Sequence, residues 1–288
     1  MKLATTWTMA TVLAMSVSPV MAQKTASQGI DEYRAMLQDG NPAELFEAKG
    51  EDLWKQKRGP KSATLEKCDL GKGPGVVKGA FVELPRYFAD TQRVQDLETR
   101  LVTCMETLQG FNAADIYKTP FGRGEQNNVT ALATWIASES KGLRFNLPQA
   151  HAQEKTFYEV GKRLFFQRGG PHDFACASCH GEEGKRIRLQ DLPMLSKNPG
   201  DGVGFAAWPA YRVSNGQMWG MQLRLNDCYR QQRFPYPGFG SDATLALATA
   251  CWPTCAAGAC SHRPKHGTGT TFTSSNWVCW LAFSNRGQ

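Results

Sequence analysis

The sequence predicts a mostly α-helical protein built from two tandem modules related by internal duplication. Three observations carry this expectation. Displacing the chain by 111 positions lays Gly50, Leu53, Gly59, Pro60 and Cys68 beside Gly161, Leu164, Gly170, Pro171 and Cys179 without a gap, with Trp54 opposite Phe165. A displacement of 124 pairs Phe81, Pro85, Tyr87, Arg100, Leu101 and Cys104 with Phe205, Pro209, Tyr211, Arg224, Leu225 and Cys228. In the same order, Ala131-Leu-Ala-Thr134 returns as Ala246-Leu-Ala-Thr249 and is expected on the last helix of each module. Val94, Leu97, Leu101 and Cys104 form an apolar stripe at helical spacing that Met218, Met221, Leu225 and Cys228 repeat. Asp90 and Ser214, at matching positions, are suited to capping these helices.

Taken in order, residues 1–22 carry Lys2, an apolar run and small residues before a cut expected after Ala22, the pattern of a secretory signal. No later run reaches the roughly 18 apolar residues of a membrane span. Ile30, Tyr33, Met36 and Leu37 predict a short leading helix, and Asn41-Pro42 predicts a cap and a first helical position opening a helix toward Lys57. The modules are expected at 23–147 and 148–250. The formal charge of +7 is spread without a basic block. That favours acidic proteins or small anions as partners and excludes a nucleic-acid footprint.

Cys176-Ala-Ser-Cys179-His180 is the spacing by which two thiols hold a c-type haem while the adjacent imidazole ligates its iron. A redox dithiol with this spacing would be expected beside a βαβ pattern, and none is evident. The modules are therefore of the cytochrome c kind. In the 111 frame, Leu65 stands at the position of Cys176 and Asp69 at that of His180. The first module, with one thioether cysteine and no proximal histidine, is expected to be haem-free. One covalent haem c is predicted for the chain.

The second axial position sets the chemistry of a haem iron. A simple electron carrier would use Met218 or Met221, but their counterparts Val94 and Leu97 belong to the haem-free module and read as core. Cys228 is the better candidate. Its counterpart Cys104 has a natural partner in Cys68, so if those two are close enough for a disulfide, Cys228 lies beside the haem. An inert buried thiol is the alternative. Arg224, one turn before Cys228, would stabilise a thiolate and offer a fork of donors to an anion. Arg100 keeps the same place in the first module, which leaves a structural role open.

The secretion signal, the haem-free first module, the C-x-x-C-H motif and Arg224-Leu-Asn-Asp-Cys228-Tyr-Arg-Gln-Gln-Arg-Phe-Pro-Tyr-Pro-Gly together resemble the single-haem SoxA family of thiosulfate-oxidising cytochromes, over about residues 25–250. The resemblance implies two cytochrome c folds and an L-cysteine S-thiosulfotransferase activity in the periplasm. It implies SoxX, a small c-type cytochrome, as the other half of a heterodimer, and the SoxYZ carrier and thiosulfate as substrates. It implies that Cys176 and Cys179 carry the haem and that His180 is its proximal ligand. Cys228 would be both distal ligand and catalytic cysteine, often a persulfide, with Arg224 binding substrate. Cys68 and Cys104 match the disulfide of the single-haem members.

After Thr249 the repeat fails. Pro253 interrupts a helix that the first copy continues, and four of the nine cysteines fall in residues 251–288. Cys255, Cys260, His262 and His266 have a spacing that a zinc site would use. A shifted reading frame near residue 250 explains the tail better. The competing functions are a mono-haem electron carrier with a Met ligand and a haem-bearing docking subunit.

Overall fold

The computed structural model describes Glu32 and residues 41–187, 190–195, 206–235 and 237–251. The expected signal at 1–22, most of the leading helix before residue 41 and the tail beyond Cys251, with its candidate zinc residues, lie outside them. The chain divides into compact units Met1–Asn41 and Pro42–Gln288, and both halves of the repeat lie in the second.

The first half of this unit begins with α1 (Ala43–Lys55), which starts one residue later than the Asn41-Pro42 reading suggests and ends two residues before Lys57. A 3-10 turn at Phe81–Glu83 and a cis Leu84–Pro85 bond lead into a hairpin, β1 (Arg86–Phe88) and β2 (Arg93–Gln95), in which Tyr87 faces Val94. Helix α2 (Leu97–Cys104) follows and runs into a π-turn at Met105–Gln109. Helices α3 (Ala113–Lys118) and α4 (Gly124–Ser138) complete the half.

The second half runs through α5 (Ala152–Phe166), α6 (Cys176–His180), the short pair β3 (Arg186–Ile187) and β4 (Gln190–Asp191), and a cis Trp208–Pro209 bond. A second hairpin joins β5 (Ala210–Arg212) to β6 (Gln217–Trp219), with Tyr211 facing Met218. Helices α7 (Met221–Gln231) and α8 (Asp242–Cys251) follow.

Several contacts of the first half recur at the matching positions of the second. Arg58 pairs with Ala63 across a turn at Gly59, and Gly169 with Phe174 across a turn at Gly170. Both glycines have positive φ, +70° and +68°, a conformation that a Cβ disfavours. Gly50 lets α1 approach α4 so closely that a Cβ would overlap the Ala131 carbonyl oxygen. Gly161 does the same for α5 against the Ala246 carbonyl of α8. The repeated Ala-Leu-Ala-Thr segments are thus the close-packing faces of α4 and α8.

Three sequence expectations change. Val94 and Met218, read as helical, are strand residues one turn ahead of α2 and α7, although both are buried. Asp90 does not cap α2; Asp96 does, accepting from the Thr99 N–H at 2.9 Å, and Asp90 instead binds Arg100. Ser214 sits in a 3-10 turn bonded to Asn215, and the N-cap of α7 is Gly220.

The halves share one apolar core, in which Phe81, Leu84, Leu97 and Ala133 of the first meet Met221, Leu225 and Leu247 of the second. At its centre the Gln222 N–H donates to the Glu98 carboxylate at 3.2 Å, although residues 98 and 222 are themselves counterparts. Matched positions touching each other is the arrangement of an isologous interface. The Gln222 side chain donates to Asp96 at 2.8 Å and accepts from the Gly240 N–H at 2.7 Å. Glu154, which closes the capping box of α5, also accepts from the Tyr87 N–H at 2.7 Å, while Tyr87 stacks on His151 at 3.6 Å.

Candidate functional site

The site is built on α6, α7 and the β5–β6 hairpin. The Gly169–Phe174 bridge turns the chain into α6, and the Ser178 hydroxyl accepts from the Ala175 N–H at 2.9 Å, closing its first turn. One short helix therefore carries Cys176, Cys179 and His180. The Nδ1 atom of His180 lies 2.9 Å from the Pro193 carbonyl oxygen. With Nδ1 donating there, the ring is held and Nε2 keeps its lone pair for a ligand.

Cys176, Cys179 and Cys228 are free thiols, and the residues around them are less enclosed than their counterparts. Leu65, Trp54 and Cys68 are buried in the first half; Cys176, Phe165 and Cys179, at the matching positions, are partly exposed. Burial pushes the Cys176 thiol up to about 12, and the neighbouring Cys228 adds to the rise. Burial also raises the Cys228 thiol; the Arg224 guanidinium opposes that without overcoming it, and Asp227 and Cys179 reinforce it. Burial lowers the His180 imidazole, which the Pro193 carbonyl resists and Arg224 assists. Cys228, Cys179, Cys176, His180 and Arg224 thus share one electrostatic neighbourhood.

Among the described residues, no group of three His, Cys, Asp or Glu side chains converges as a site for a bare metal ion. The donor set has another form: two thiols and an oriented imidazole on one helical turn, with a third thiol on a separate helix. That chemistry fits a covalently attached c-type haem. In the first half, the Cys104 and Cys68 sulfurs are joined at 2.02 Å, linking the counterparts of Cys228 and Cys179.

The two matched arginines differ in their surroundings. Arg100, 4 % exposed, donates from Nε to the Asp69 carbonyl at 2.6 Å and from Nη1 to both Asp90 oxygens at 2.9 and 2.8 Å, and lies 4.0 Å over the Phe88 ring. Arg224 donates to Asp227 at 3.1 Å and lies 5.9 Å from the Trp208 ring. Asp227 is shared with Arg230, at 2.6 Å, and with Gln231.

The sequence reading missed Pro193, Gln232 and Arg212. Gln232 stands just after α7, where its side chain opposes the rise of the Cys176 thiol. Arg212 was detectable, because in the 124 frame it replaces the aromatic Phe88. Burial and the nearby Arg224 lower its guanidinium, while Asp227 and Cys228 support it.

The SoxA subunit of L-cysteine S-thiosulfotransferase from Hydrogenophilus thermoluteolus is 53% identical to this chain over 221 residues, which cover 77% of this chain and 81% of that protein. The chain belongs to the SoxA family. A second SoxA subunit, from Hydrogenobacter thermophilus, is 33% identical over 72% of this chain and 75% of its own length. The SoxA/TsdA cytochrome c domain profile matches residues 49–145, the half without the C-x-x-C-H motif. In fold, the chain resembles SoxXA from P. pantotrophus, with a TM-score of 0.63 and 23% identity over 78% of this chain and 79% of that one. The SoxA architecture is mostly helical and cytochrome c-like, and no helix among the described residues is long and apolar enough to cross a membrane.

Proposed function

We propose that this chain is the haem-bearing subunit of a periplasmic L-cysteine S-thiosulfotransferase, secreted by the signal at 1–22. It works as a heterodimer with a SoxX cytochrome and conjugates thiosulfate to a cysteine of a SoxYZ carrier. Membership of the SoxA family supports the activity. The residue assignment is supported by the Cys68–Cys104 disulfide, which joins the counterparts of Cys179 and Cys228, together with the mutual electrostatic influence among Cys176, Cys179, Cys228, His180 and Arg224.

Cys176 and Cys179 would hold one haem c by thioether bonds, and His180 and Cys228 are the residues that would ligate its iron. When bound, the haem supplies one-electron redox chemistry beside the Cys228 sulfur. The two halves are read as a duplication whose first copy, 23–147, has no haem. Leu65 and Asp69 stand where the motif would need Cys and His, and the Cys68–Cys104 disulfide occupies the corresponding edge. Met221 packs between the halves with Phe81, Leu84 and Trp208, which favours Cys228 over Met221 as the sulfur ligand.

In the reaction, Arg224 holds the sulfonate oxygens of thiosulfate and directs its terminal sulfur at the Cys228 sulfur. An S–S bond forms between them as two electrons leave, one at a time, to two ferricytochrome acceptors, and the thiol proton passes to solvent. If Cys228 carries a persulfide, its outer sulfur makes the bond in the same way. The carrier cysteine then attacks as a thiolate, breaks that bond and leaves with the sulfane and sulfonate, regenerating Cys228. The sum is one carrier thiol and one thiosulfate joined, two ferricytochromes reduced and one proton released.

The test is Cys228→Ala in the intact heterodimer with carrier, thiosulfate and ferricytochrome c. The expected result is loss of carrier conjugation by mass spectrometry with SoxX association and haem attachment retained. Conjugation at the wild-type rate would overturn the reading and move the chemistry to a partner.

A further inference from the structure

We propose that Arg212 is a second substrate-binding residue, which grips the anionic sulfonate end of thiosulfate opposite Arg224 and so sets selectivity for a dianion. The inference rests on the thiosulfotransferase reading and deepens its site. It comes from comparing the two halves around their matched arginines.

Around Arg100 the first half supplies acceptors and an aromatic face. Asp90 and the Asp69 carbonyl take its N–H groups, the Gln95 side-chain oxygen lies 3.4 Å from Nη1, and Phe88 covers the guanidinium. At the same places in the 124 frame, the second half has Ser214 for Asp90, Trp219 for Gln95 and Arg212 for Phe88. A carboxylate and an amide oxygen are gone, and a guanidinium and an indole N–H have arrived.

The new donors are not satisfied within the protein. The Nε of Arg212 and the Nε1 of Trp219 are both buried without a hydrogen-bond partner, and the Arg212 guanidinium lies 5.2 Å from the Trp219 ring. Trp219 is 8 % exposed, so solvent reaches little of it. A buried donor without a partner is costly, and an acceptor that enters from outside relieves the cost. The Arg212 and Arg224 guanidiniums repel each other and both act on the Cys228 sulfur, while Asp227 is divided among Arg224, Arg230 and Gln231. A dianion with three sulfonate oxygens supplies both the charge and the acceptors, and the planar guanidinium fork suits such oxygens.

The experiment measures KM and kcat for thiosulfate, and inhibition by sulfate, in the haem-loaded heterodimer carrying Arg212→Gln, Arg212→Lys or Arg224→Gln. Sulfate is a non-reacting dianion of similar shape. Arg212→Gln is expected to raise KM and weaken sulfate inhibition by roughly tenfold to a hundredfold, the range for one hydrogen bond to a charged group. Arg212→Lys, which keeps the charge and the packing stem, is expected to recover part of both. Unchanged KM and sulfate inhibition in Arg212→Gln, with Arg224→Gln impaired, would overturn this proposal and leave the parent reading standing. No effect from either variant would sink the parent reading as well. A shifted haem reduction potential in Arg212→Gln, with KM and sulfate inhibition unchanged, would assign Arg212 to a haem propionate and overturn the proposal. Loss of melting temperature and kcat together at constant KM would mark a structural residue and also overturn it.

Discussion

Arg100 and Arg224 occupy matching positions one helical turn before Cys104 and Cys228, yet Arg100 is clamped by Asp90 and the Asp69 carbonyl while Arg224, among the described residues, donates to Asp227. The same residue type is structural in one half and available in the other. Arg100→Met removes several charge-assisted bonds and is expected to cost about 2–3 kcal/mol, or roughly 5–10 °C of melting temperature, with KM for thiosulfate unchanged. Arg224→Gln loses a partly exposed i,i+3 pair worth less than about 0.5 kcal/mol, so its melting point should hold while kcat/KM falls roughly tenfold or more. Thermal melts and steady-state kinetics on both variants check this; the reverse pattern would contradict it.

The contact between the halves should be sensitive to pH. Burial, reinforced by Asp96, pushes the Glu98 carboxyl up from 4.5 to about 8, and burial raises Asp96 in the same direction. The folded protein then keeps a proton on Glu98 that the unfolded chain gives up near 4.5. This contribution to stability is complete below about pH 4.5 and is lost as pH rises toward 8, by up to about 1.4 kcal/mol per pH unit. Glu98→Gln carries no such proton and can still accept from the Gln222 N–H. Its melting temperature is expected to match wild type near pH 4.5 and exceed it at pH 8; parallel profiles would contradict the assignment.

Gly161 gives a prediction whose sign opposes propensity. Ala in place of Gly inside a helix ordinarily gains up to about 1 kcal/mol. Here the added Cβ would overlap the Ala246 carbonyl oxygen and crowd Ala250. Gly161→Ala is expected to destabilise by about 1–3 kcal/mol, the usual cost of overpacking, and Gly50→Ala should do the same through Ala131. A raised unfolding midpoint in denaturant for either variant would show that the helix pairs are looser than described.

Much of this architecture was legible because each repeated residue has a physical reason for its place. Gly50 and Gly161 permit close helix contact, and Gly59 and Gly170 make the same turn. The hairpins were not legible, since strands of three residues are too short to show alternation. Val94 and Met218 mimicked helical spacing because a buried strand residue just before a helix falls in line with its apolar face. Asp90 looked like a cap because spacing cannot reveal that its carboxylate reaches Arg100. Asp96 and Glu98, at the start of α2, are buried against Gln222, a contact set by tertiary packing that no spacing in the sequence shows. At the proposed site, Cys176, Cys179 and His180 are singled out by the C-x-x-C-H motif, and Arg224 and Cys228 by the repeat that pairs them with Arg100 and Cys104. Arg212 belongs to no motif, and only the comparison with Phe88 singles it out.

The central claim is that one half holds a single haem and places Cys228 beside it for sulfur chemistry. It is tested most directly by the intact mass of the purified protein, with peptide mapping of the segments containing residues 68, 104, 176–180 and 228. The account predicts one haem on the peptide with Cys176 and Cys179, a disulfide joining Cys68 to Cys104, and an added sulfur on Cys228. Two haems, or a haem-loaded protein whose Cys228 never gains sulfur before or after thiosulfate is added, would contradict it.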